Sequence, residues 1–151
     1  MFLGIIIPDR INKSIYAKVY DDYLKRIGFY CQTKLFDFKS KYTKDFSKAM
    51  AFQRDKILDI SNDYTKITVE ANGKLMDSLE FSKWMENMML HNITIFFILG
   101  GAFGLPEEVV KAANDKISLG KLTLSHEIAL LVLLEQIYRS FTILNNHPYN
   151  K

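Results

Sequence analysis

The sequence has little of the chemistry that binds metals or forms cross-links. Its 151 residues include one cysteine, Cys31, and three histidines, which are far apart. A single cysteine excludes an intramolecular disulfide, and this scattered set has no spacing typical of a metal site. We therefore expect no metal cofactor. The scarcity of cysteine favours the reducing cytoplasm as the compartment of this protein.

The sequence also lacks a long hydrophobic run. Its first apolar stretch ends at Ile7 and has neither the basic start nor the small-residue cleavage site of a signal peptide. Further along, the uninterrupted run from Ile128 to Leu134 is far shorter than the roughly 18 residues of a membrane helix. We expect a soluble protein without a membrane partner.

Linkers, repeats and low-complexity segments are absent too, so we expect one domain that spans residues 1–151. Apolar residues make up 48% and charged residues 25% of the chain, which is ordinary for a globular domain with one core. The formal net charge is +3. This mild basicity permits an acidic partner such as RNA, but it is also common in proteins without one.

Short apolar runs alternate with helical patterns along the chain. Strands are predicted at residues 2–7, 30–36, 67–69, 93–99 and within 117–125, and helices at 15–27, 44–59, after 78, from 106 and at 128–144. Asn72-Gly73 predicts a turn after the third strand, and Ser78 predicts a plain helix cap without a capping-box acid. The nearly continuous apolar run from Ile93 to Leu99 indicates a strand buried on both faces. The pattern predicts an α/β domain with a mostly parallel sheet flanked by helices.

Three loops are expected at one edge of this sheet. The segment 100–104, Gly-Gly-Ala-Phe-Gly, lacks the Gly-Lys-Ser/Thr ending of a phosphate loop and the spacing of a dinucleotide fingerprint. It either contacts an uncharged ring or ribose through its backbone or only forms a tight turn. Because Val69-Glu70 ends another strand and the loop 120–124 follows the last strand, the three strand ends converge where α/β folds bind ligands.

Three other segments have two interpretations each. The helix at 128–144 is apolar nearly all round, which indicates either cover by a second subunit or a central helix between layers. The tail at 146–149 is either a frayed end or a segment that folds over a pocket. A lysine-rich segment with interleaved aromatics indicates either an RNA contact or a solvated helix face, and it contains Lys39, Lys41, Tyr42, Lys44, Phe46 and Lys48.

Four motifs in the second half of the chain together resemble one family. They are Leu99-Gly100-Gly101-x-x-Gly104-Leu105, Ser118-Leu119-x-x-Leu122-Thr123-Leu124-x-His126, Glu135-Gln136-Ile137-Tyr138-Arg139-Ser140-Phe141 and Asn146-His147-Pro148-Tyr149. In order and spacing they resemble the ribosomal RNA large subunit methyltransferase H family, and the chain length and Val69-Glu70-x-x-Gly73-Lys74 agree with it. The resemblance is specific across residues 67–151 and extends over residues 1–60 in pattern only.

The resemblance implies a single SPOUT methyltransferase domain with a trefoil knot, a rare exception to unknotted connections, that acts as a cytoplasmic homodimer. The family transfers a methyl group from S-adenosyl-L-methionine to N3 of a pseudouridine in 23S ribosomal RNA, within the assembled ribosome. The implied cofactor-binding residues are Val69, Gly100, Leu119, Gly120, Lys121, Leu122, Thr123 and Leu124. Tyr149 would place or deprotonate the base, and His147 would shape the site. Arg139, Lys151 and the lysines of residues 39–48 would contact RNA phosphates.

Three positions depart from the family pattern. Asn150 stands where the family usually has a histidine, Ser125 where it has a proline, and Leu130 where it has an arginine. Because an amide cannot accept a proton as an imidazole does, Asn150 leaves the identity of the proton acceptor open. Two alternatives follow: a SPOUT methyltransferase with a different RNA target, or a catalytically inactive ribosome-binding module.

Overall fold

Strands and helices alternate along residues 1–149, the part of the chain that the computed structural model describes. The ten elements are β1 (Phe2–Ile7), α1 (Ala17–Gly28), β2 (Gln32–Asp37), α2 (Phe46–Ser61), β3 (Thr65–Leu75), α3 (Ser78–His91), β4 (Thr94–Leu99), α4 (Glu107–Ala112), β5 (Asp115–Ser118) and α5 (His126–Leu144). Each predicted strand and helix is present, with ends displaced by a few residues. Within these residues, no helix is long and apolar enough to cross a membrane.

The five strands form one sheet in the order β2-β1-β4-β3-β5, and every neighbouring pair is parallel. Successive residues of a strand face opposite sides of the sheet. In β4, Ile95 and Phe97 enter the core on one side, whereas Phe96 and Ile98 enter the core on the other. The prediction of a parallel sheet with a doubly buried central strand is confirmed.

Helices cover both faces of the sheet. The larger core includes buried side chains of α1, α3 and α5, such as Tyr20, Met85 and Leu133, and the smaller one includes Ile57 of α2 and Val109 of α4. Helix α5 contacts both α1 and α3, and every residue from 128 to 144 is buried or half-buried within the single chain. The apolar character of α5 is therefore explained by packing between its own neighbours, and the homodimer stays a prediction that needs other support.

The start of α3 differs from the prediction. The N-cap is Asp77, whose carboxylate accepts from the Glu80 N–H at 2.8 Å, while the Glu80 carboxylate accepts from the Asp77 N–H at 2.8 Å. This is a complete capping box, so the expected plain cap at Ser78 is wrong. The acid of the box, Glu80, lies three residues after Asp77. Counting from Ser78 as the N-cap leads to Phe81 instead, one position too far. The Ser78 hydroxyl instead donates to Gln136 of α5 at 2.8 Å.

Strand β3 does not end at a turn. Val69 and Lys74 both pair with Ile117 of β5, so residues 70–73 leave the ladder and rejoin it. The predicted turn at Asn72-Gly73 is therefore wrong, and the segment forms a wide bulge in a continuing strand. A Cβ at Gly73 would lie 2.3 Å from the carbonyl carbon of Ile117, which explains why glycine stands where the strand returns.

Candidate functional site

A cavity of about 430 Å³ opens at the carboxyl edge of the sheet. Its walls come from three segments that are distant in sequence: the β3 bulge, the loop after β4, and the loop between β5 and α5 with the first turn of α5. The lining residues are Val69, Glu70, Ala71, Asn72, Leu99, Gly100, Gly101, Gly104, Leu105, Ser118, Leu119, Gly120, Leu122, Thr123, Leu124, His126 and Ala129. The volume lies within the range of about 300–1,000 Å³ that is typical of small-molecule sites.

The loop after β4 brings bare backbone to this cavity. The Gly104 N–H donates to the Gly101 carbonyl at 3.0 Å, and Gly104 has a φ of +78°, which favours glycine. A Cβ built on Gly100 would lie 3.0 Å from the carbonyl carbon of Gly104. The two ends of the loop are thus packed against each other, and a side chain at position 100 would require the Gly104 backbone to move by a few tenths of an ångström.

The third wall is held by short polar contacts. The Ser118 hydroxyl donates to the Gly120 carbonyl at 2.9 Å and closes the turn after β5. Ser125 caps α5, because its hydroxyl accepts from the Ile128 N–H at 3.4 Å. His126 pairs with Asp9 of the loop after β1, Nε2 to Oδ2 at 2.5 Å, which fixes the start of α5 at the cavity.

The charge of the cavity suits a ligand without phosphate. Among the lining residues, all of which fall within the described part of the chain, Glu70 is the one carboxylate, and none is lysine or arginine. The buried Thr68 hydroxyl donates to Glu70 Oε1 at 2.7 Å and fixes its direction. A phosphate group would meet this carboxylate without a lysine or arginine in the lining, and the lining His126 is already paired with Asp9, whereas a cation would be attracted by the carboxylate.

The structure brings most of the predicted cofactor residues together. Val69, Gly100, Leu119, Gly120, Leu122, Thr123 and Leu124 all line the cavity. Lys121 is exposed in the same loop and is not among the lining residues. Asn72 and Ala129 were missed by sequence reasoning. Asn72 reaches the wall only because β3 bulges, and Ala129 only because α5 begins beside the loop.

The predicted catalytic residue Tyr149 packs against the far part of α5. Its ring contacts Tyr138, with centroids 4.8 Å apart, and the Arg139 guanidinium lies 5.0 Å from its centroid. Its O–H donates to Glu135 Oε1 at 3.1 Å, and Arg139 also donates to that oxygen, from Nη2 at 2.6 Å. Burial, followed by a hydrogen bond with Tyr23 and the charge of Glu135, raises the pKa of the Tyr149 phenol. The phenol therefore stays protonated at neutral pH.

Within one chain, the tail and the cavity are apart. The cavity reaches Ala129 of α5. Glu135, which holds Tyr149, lies about 9 Å further along the helix axis, and Arg139 about 15 Å further, at 1.5 Å per residue. His147 is exposed, and its Nδ1 accepts from the Tyr149 N–H at 3.2 Å. Neither predicted catalytic residue lines the cavity. Lys151 and Asn150 lie outside the described residues.

No group of three or more histidine, cysteine, aspartate or glutamate side chains within residues 1–149 could hold a metal ion. The isolated Cys31 is half-buried on the approach to β2, and burial raises its pKa to about 11. A thiol with that pKa is not an activated nucleophile. The chemistry available to the site is that of the cavity and the tail.

Comparisons with known proteins agree over the whole chain. The family model described as "Predicted SPOUT methyltransferase" matches residues 1–150. Ribosomal RNA large subunit methyltransferase H of Pseudothermotoga lettingae is 32% identical over 153 residues, covering 99% of both chains. The protein of the same name from Clostridium botulinum strain Langeland is 35% identical over 159 residues, covering 100% of both.

A solved structure is similar in fold. The crystal structure of tRNA (m1G37) methyltransferase from Aquifex aeolicus matches with a TM-score of 0.53 and 15% sequence identity. The match covers 92% of this chain and 69% of that one. At this identity the likeness concerns the fold alone.

Proposed function

The chain belongs to the SPOUT methyltransferase family and, within it, to the ribosomal RNA large subunit methyltransferase H family, and from this premise we propose its reaction. It transfers a methyl group from S-adenosyl-L-methionine to N3 of a pseudouridine in 23S ribosomal RNA, on the assembled ribosome in the cytoplasm. The observation that carries the proposal is the cavity, whose backbone walls and single carboxylate suit a cationic donor without phosphate.

The donor fits the residues that are present. When bound, S-adenosylmethionine supplies a methyl group on a positively charged sulfur. Val69, Gly100 and the loop from Leu119 to Leu124, with Lys121 in it, would hold its adenine and ribose through backbone groups. Glu70 would face its positive charge. Gly100 packs against the Gly104 backbone, so a larger residue there would displace this wall of the cavity.

The tail at residues 146–149 would position the RNA base for methyl transfer. The nitrogen must be aligned with the methyl group and must lose its proton. Because burial raises the pKa of Tyr149, its phenol is suited to donate a hydrogen bond and place the base rather than to take the proton. The exposed His147 would shape the same site, and Arg139 and Lys151 would contact RNA phosphates.

A homodimer would unite the tail with the cavity. In a single chain Tyr149 is held at Glu135, about 9 Å along α5 from the last lining residue. Methyl transfer needs the reacting groups about 3 Å apart. We propose that the tail of one protomer reaches the cavity of its partner. The trefoil knot implied by the family resemblance is part of the same proposal.

The test is transfer of a radiolabelled methyl group from S-adenosylmethionine to ribosomes that lack their own pseudouridine methylation. Isolated large subunits and bulk transfer RNA are supplied in parallel reactions. Label in 23S RNA of whole ribosomes supports the proposal. Label only in transfer RNA would show a different target, and donor binding without any label would show an inactive module.

A further inference from the structure

Two exposed phenylalanines touch each other beside the cavity. Phe103 lies between Gly101 and Gly104, which both line the cavity, and Phe46 is the first residue of α2. Their ring centroids are 5.4 Å apart with the planes at 89°, and their side chains are 72% and 57% exposed. We call Phe46 and Phe103 the aromatic platform. Neither residue lines the cavity, so the platform is not part of the donor site described above.

The platform is held in a fixed place. The turn closed by the Gly104 N–H and the Gly101 carbonyl carries Phe103, and α2 is capped by Asp45, whose carboxylate accepts from the Lys48 N–H at 3.0 Å. Single exposed apolar residues are ordinary on protein surfaces. Two aromatic rings in contact, on two anchored elements at the edge of a ligand cavity, instead offer a preformed surface for a flat apolar partner.

Exposed lysines precede the platform residue Phe46 in the sequence. Lys39, Lys41 and Lys44 are exposed in the segment that leads from β2 to α2, and none forms an ion pair with a residue of 1–149. Lys48 lies 3.9 Å from Asp45. This segment therefore presents an excess of positive charge, which attracts a polyanion.

The acids nearest in sequence to the glycine loop are already paired. Glu107 of α4 lies 2.7 Å from Lys111, and Glu108 lies 3.4 Å from Arg54. Within each pair the two charges cancel, so neither glutamate neutralises the positive charge of the lysine segment. Charge complementarity thus favours RNA as the partner. A protein surface with few acidic residues, or a second copy of this basic chain, would not complement the lysines.

We propose that the aromatic platform stacks an unpaired nucleobase of the RNA substrate while the lysines of residues 39–44 contact its phosphates. The proposal rests on the RNA methyltransferase function proposed above and names the surface that brings RNA to the cavity. Aromatic side chains bind unpaired bases by stacking, and every base has a face that can stack. A base held on Phe103 lies next to the glycine loop, so a neighbouring nucleotide is directed towards the donor.

Alanine and leucine variants test the stacking. Cosedimentation with large ribosomal subunits measures RNA binding, and the labelled-methyl reaction measures transfer. Phe46→Ala and Phe103→Ala are each expected to weaken subunit binding roughly 5- to 150-fold, the range for loss of one base–aromatic stack. Phe103→Trp should keep binding and Phe103→Leu should lose it, because leucine is apolar but cannot stack. Affinity for S-adenosylmethionine should stay unchanged in all four variants.

Matched controls separate this surface from general effects. Phe29→Ala removes another phenylalanine, which is 88% exposed and lies just after α1, and should leave binding unchanged. Lys44→Glu should reduce the slope of log affinity against log salt by about 1, as expected for loss of a phosphate contact. Lys56→Glu changes an exposed lysine on α2, about 15 Å along the helix from Phe46, and should leave this slope unchanged.

Four results would overturn the proposal. Binding by Phe103→Leu equal to the unchanged chain would exclude stacking, and alanine variants equal to Phe29→Ala would exclude the platform as a contact. A change of oligomeric state in the platform variants, measured by gel filtration, would show that a second copy occupies it. If the unchanged chain transfers methyl groups and the variants do so equally, the proposed function stands and the platform fails. If binding depends on the platform but the unchanged chain transfers no methyl group, the platform stands and the proposed function fails.

Discussion

At the scale of single residues, Glu70 decides how the cavity responds to charge. Its carboxylate is the one acid in the lining, and the Thr68 hydroxyl orients it from a buried position. The proposed donor, S-adenosylmethionine, carries a positive sulfur, and its product S-adenosylhomocysteine is neutral there. A carboxylate at this position would therefore favour binding of the donor and release of the product.

We predict that Glu70→Gln lowers affinity for S-adenosylmethionine by about fivefold relative to S-adenosylhomocysteine, which corresponds to about 1 kcal/mol of charge interaction. Isothermal titration with both ligands measures the ratio. Glu86→Gln, an exposed glutamate on α3, is the control and should leave it unchanged. Equal weakening of both ligands by Glu70→Gln would mean that the carboxylate binds the ribose instead.

Tyr149 gives a prediction about pH. Its folded pKa is raised, mainly by burial, above the ordinary value of about 10. The folded chain holds this proton more tightly than the unfolded chain, so the contribution to stability is present below about pH 10 and is lost as pH rises through the folded pKa. Tyr149→Phe should therefore reduce the fall in stability above about pH 10.

Urea unfolding at several alkaline pH values measures this effect, with Tyr64→Phe, an exposed tyrosine, as the control. The same variant tests the catalytic role. If Tyr149 places the base, Tyr149→Phe lowers kcat and leaves the alkaline side of the pH–rate profile in position. A shift of that side of the profile would show that the phenol takes the proton.

At the scale of elements, the capping box fixes where α3 begins. Asp77 and Glu80 satisfy two backbone N–H groups that the helix leaves without partners. We predict that Asp77→Ala lowers the free energy of unfolding by about 1 kcal/mol, measured by urea denaturation. Asp63→Ala, at an exposed position outside the helices, should change it little. An equal effect of the two would show that the cap contributes nothing measurable.

A strand could be predicted from the sequence where its apolar pattern fits only one structure. The apolar runs of β1 and β4 are buried on both faces, so composition alone identifies them as central strands. The bulge of β3 was not predictable, because Asn72-Gly73 is compatible with a turn and only the pairing of Ile117 with two residues reveals that the strand continues. The predicted cofactor residues came from a family resemblance; all of them except Lys121 line one cavity, and their cofactor role stays a prediction.

At the scale of the whole molecule, the proposed homodimer would bring the tail of one protomer to the cavity of its partner. Sequence reasoning brought Tyr149 and His147 to the donor site, but one chain holds Tyr149 at Glu135 and leaves His147 exposed. No pattern in a single sequence states whether a tail acts on its own cavity or on that of a partner, since the local contacts are the same in both. The question is decided by mixing two defective chains.

We predict that Gly100→Val and Tyr149→Phe chains complement each other. The valine would collide with the Gly104 backbone and block donor binding, whereas Gly28→Val, at a position with no atom within 4 Å of its Cβ, should bind normally. After subunit exchange, a mixture of the two defective chains should recover roughly a quarter of the activity of the unsubstituted protein. Half of the randomly formed dimers are mixed, and each mixed dimer has one intact cavity served by one intact tail.

Methyl transfer to ribosomes measures the recovery, and each variant alone provides the baseline. Activity of the mixture equal to the mean of the two separate chains would show that each tail serves its own cavity, and the dimer proposal would then lose its catalytic basis. Dimer formation by itself is followed in the same samples by sedimentation.

The residues that line the cavity all fall within the segments 69–72, 99–105 and 118–129. Translation delivers a protein from its N-terminus, at about 5–20 residues per second, so these walls leave the ribosome in that order. A nascent chain that has completed β4 already holds two walls but cannot enclose the donor until β5 and the first turn of α5 have emerged. Products of interrupted translation therefore lack part of the cavity wall, and we expect added S-adenosylmethionine to stabilise finished chains and not unfinished ones.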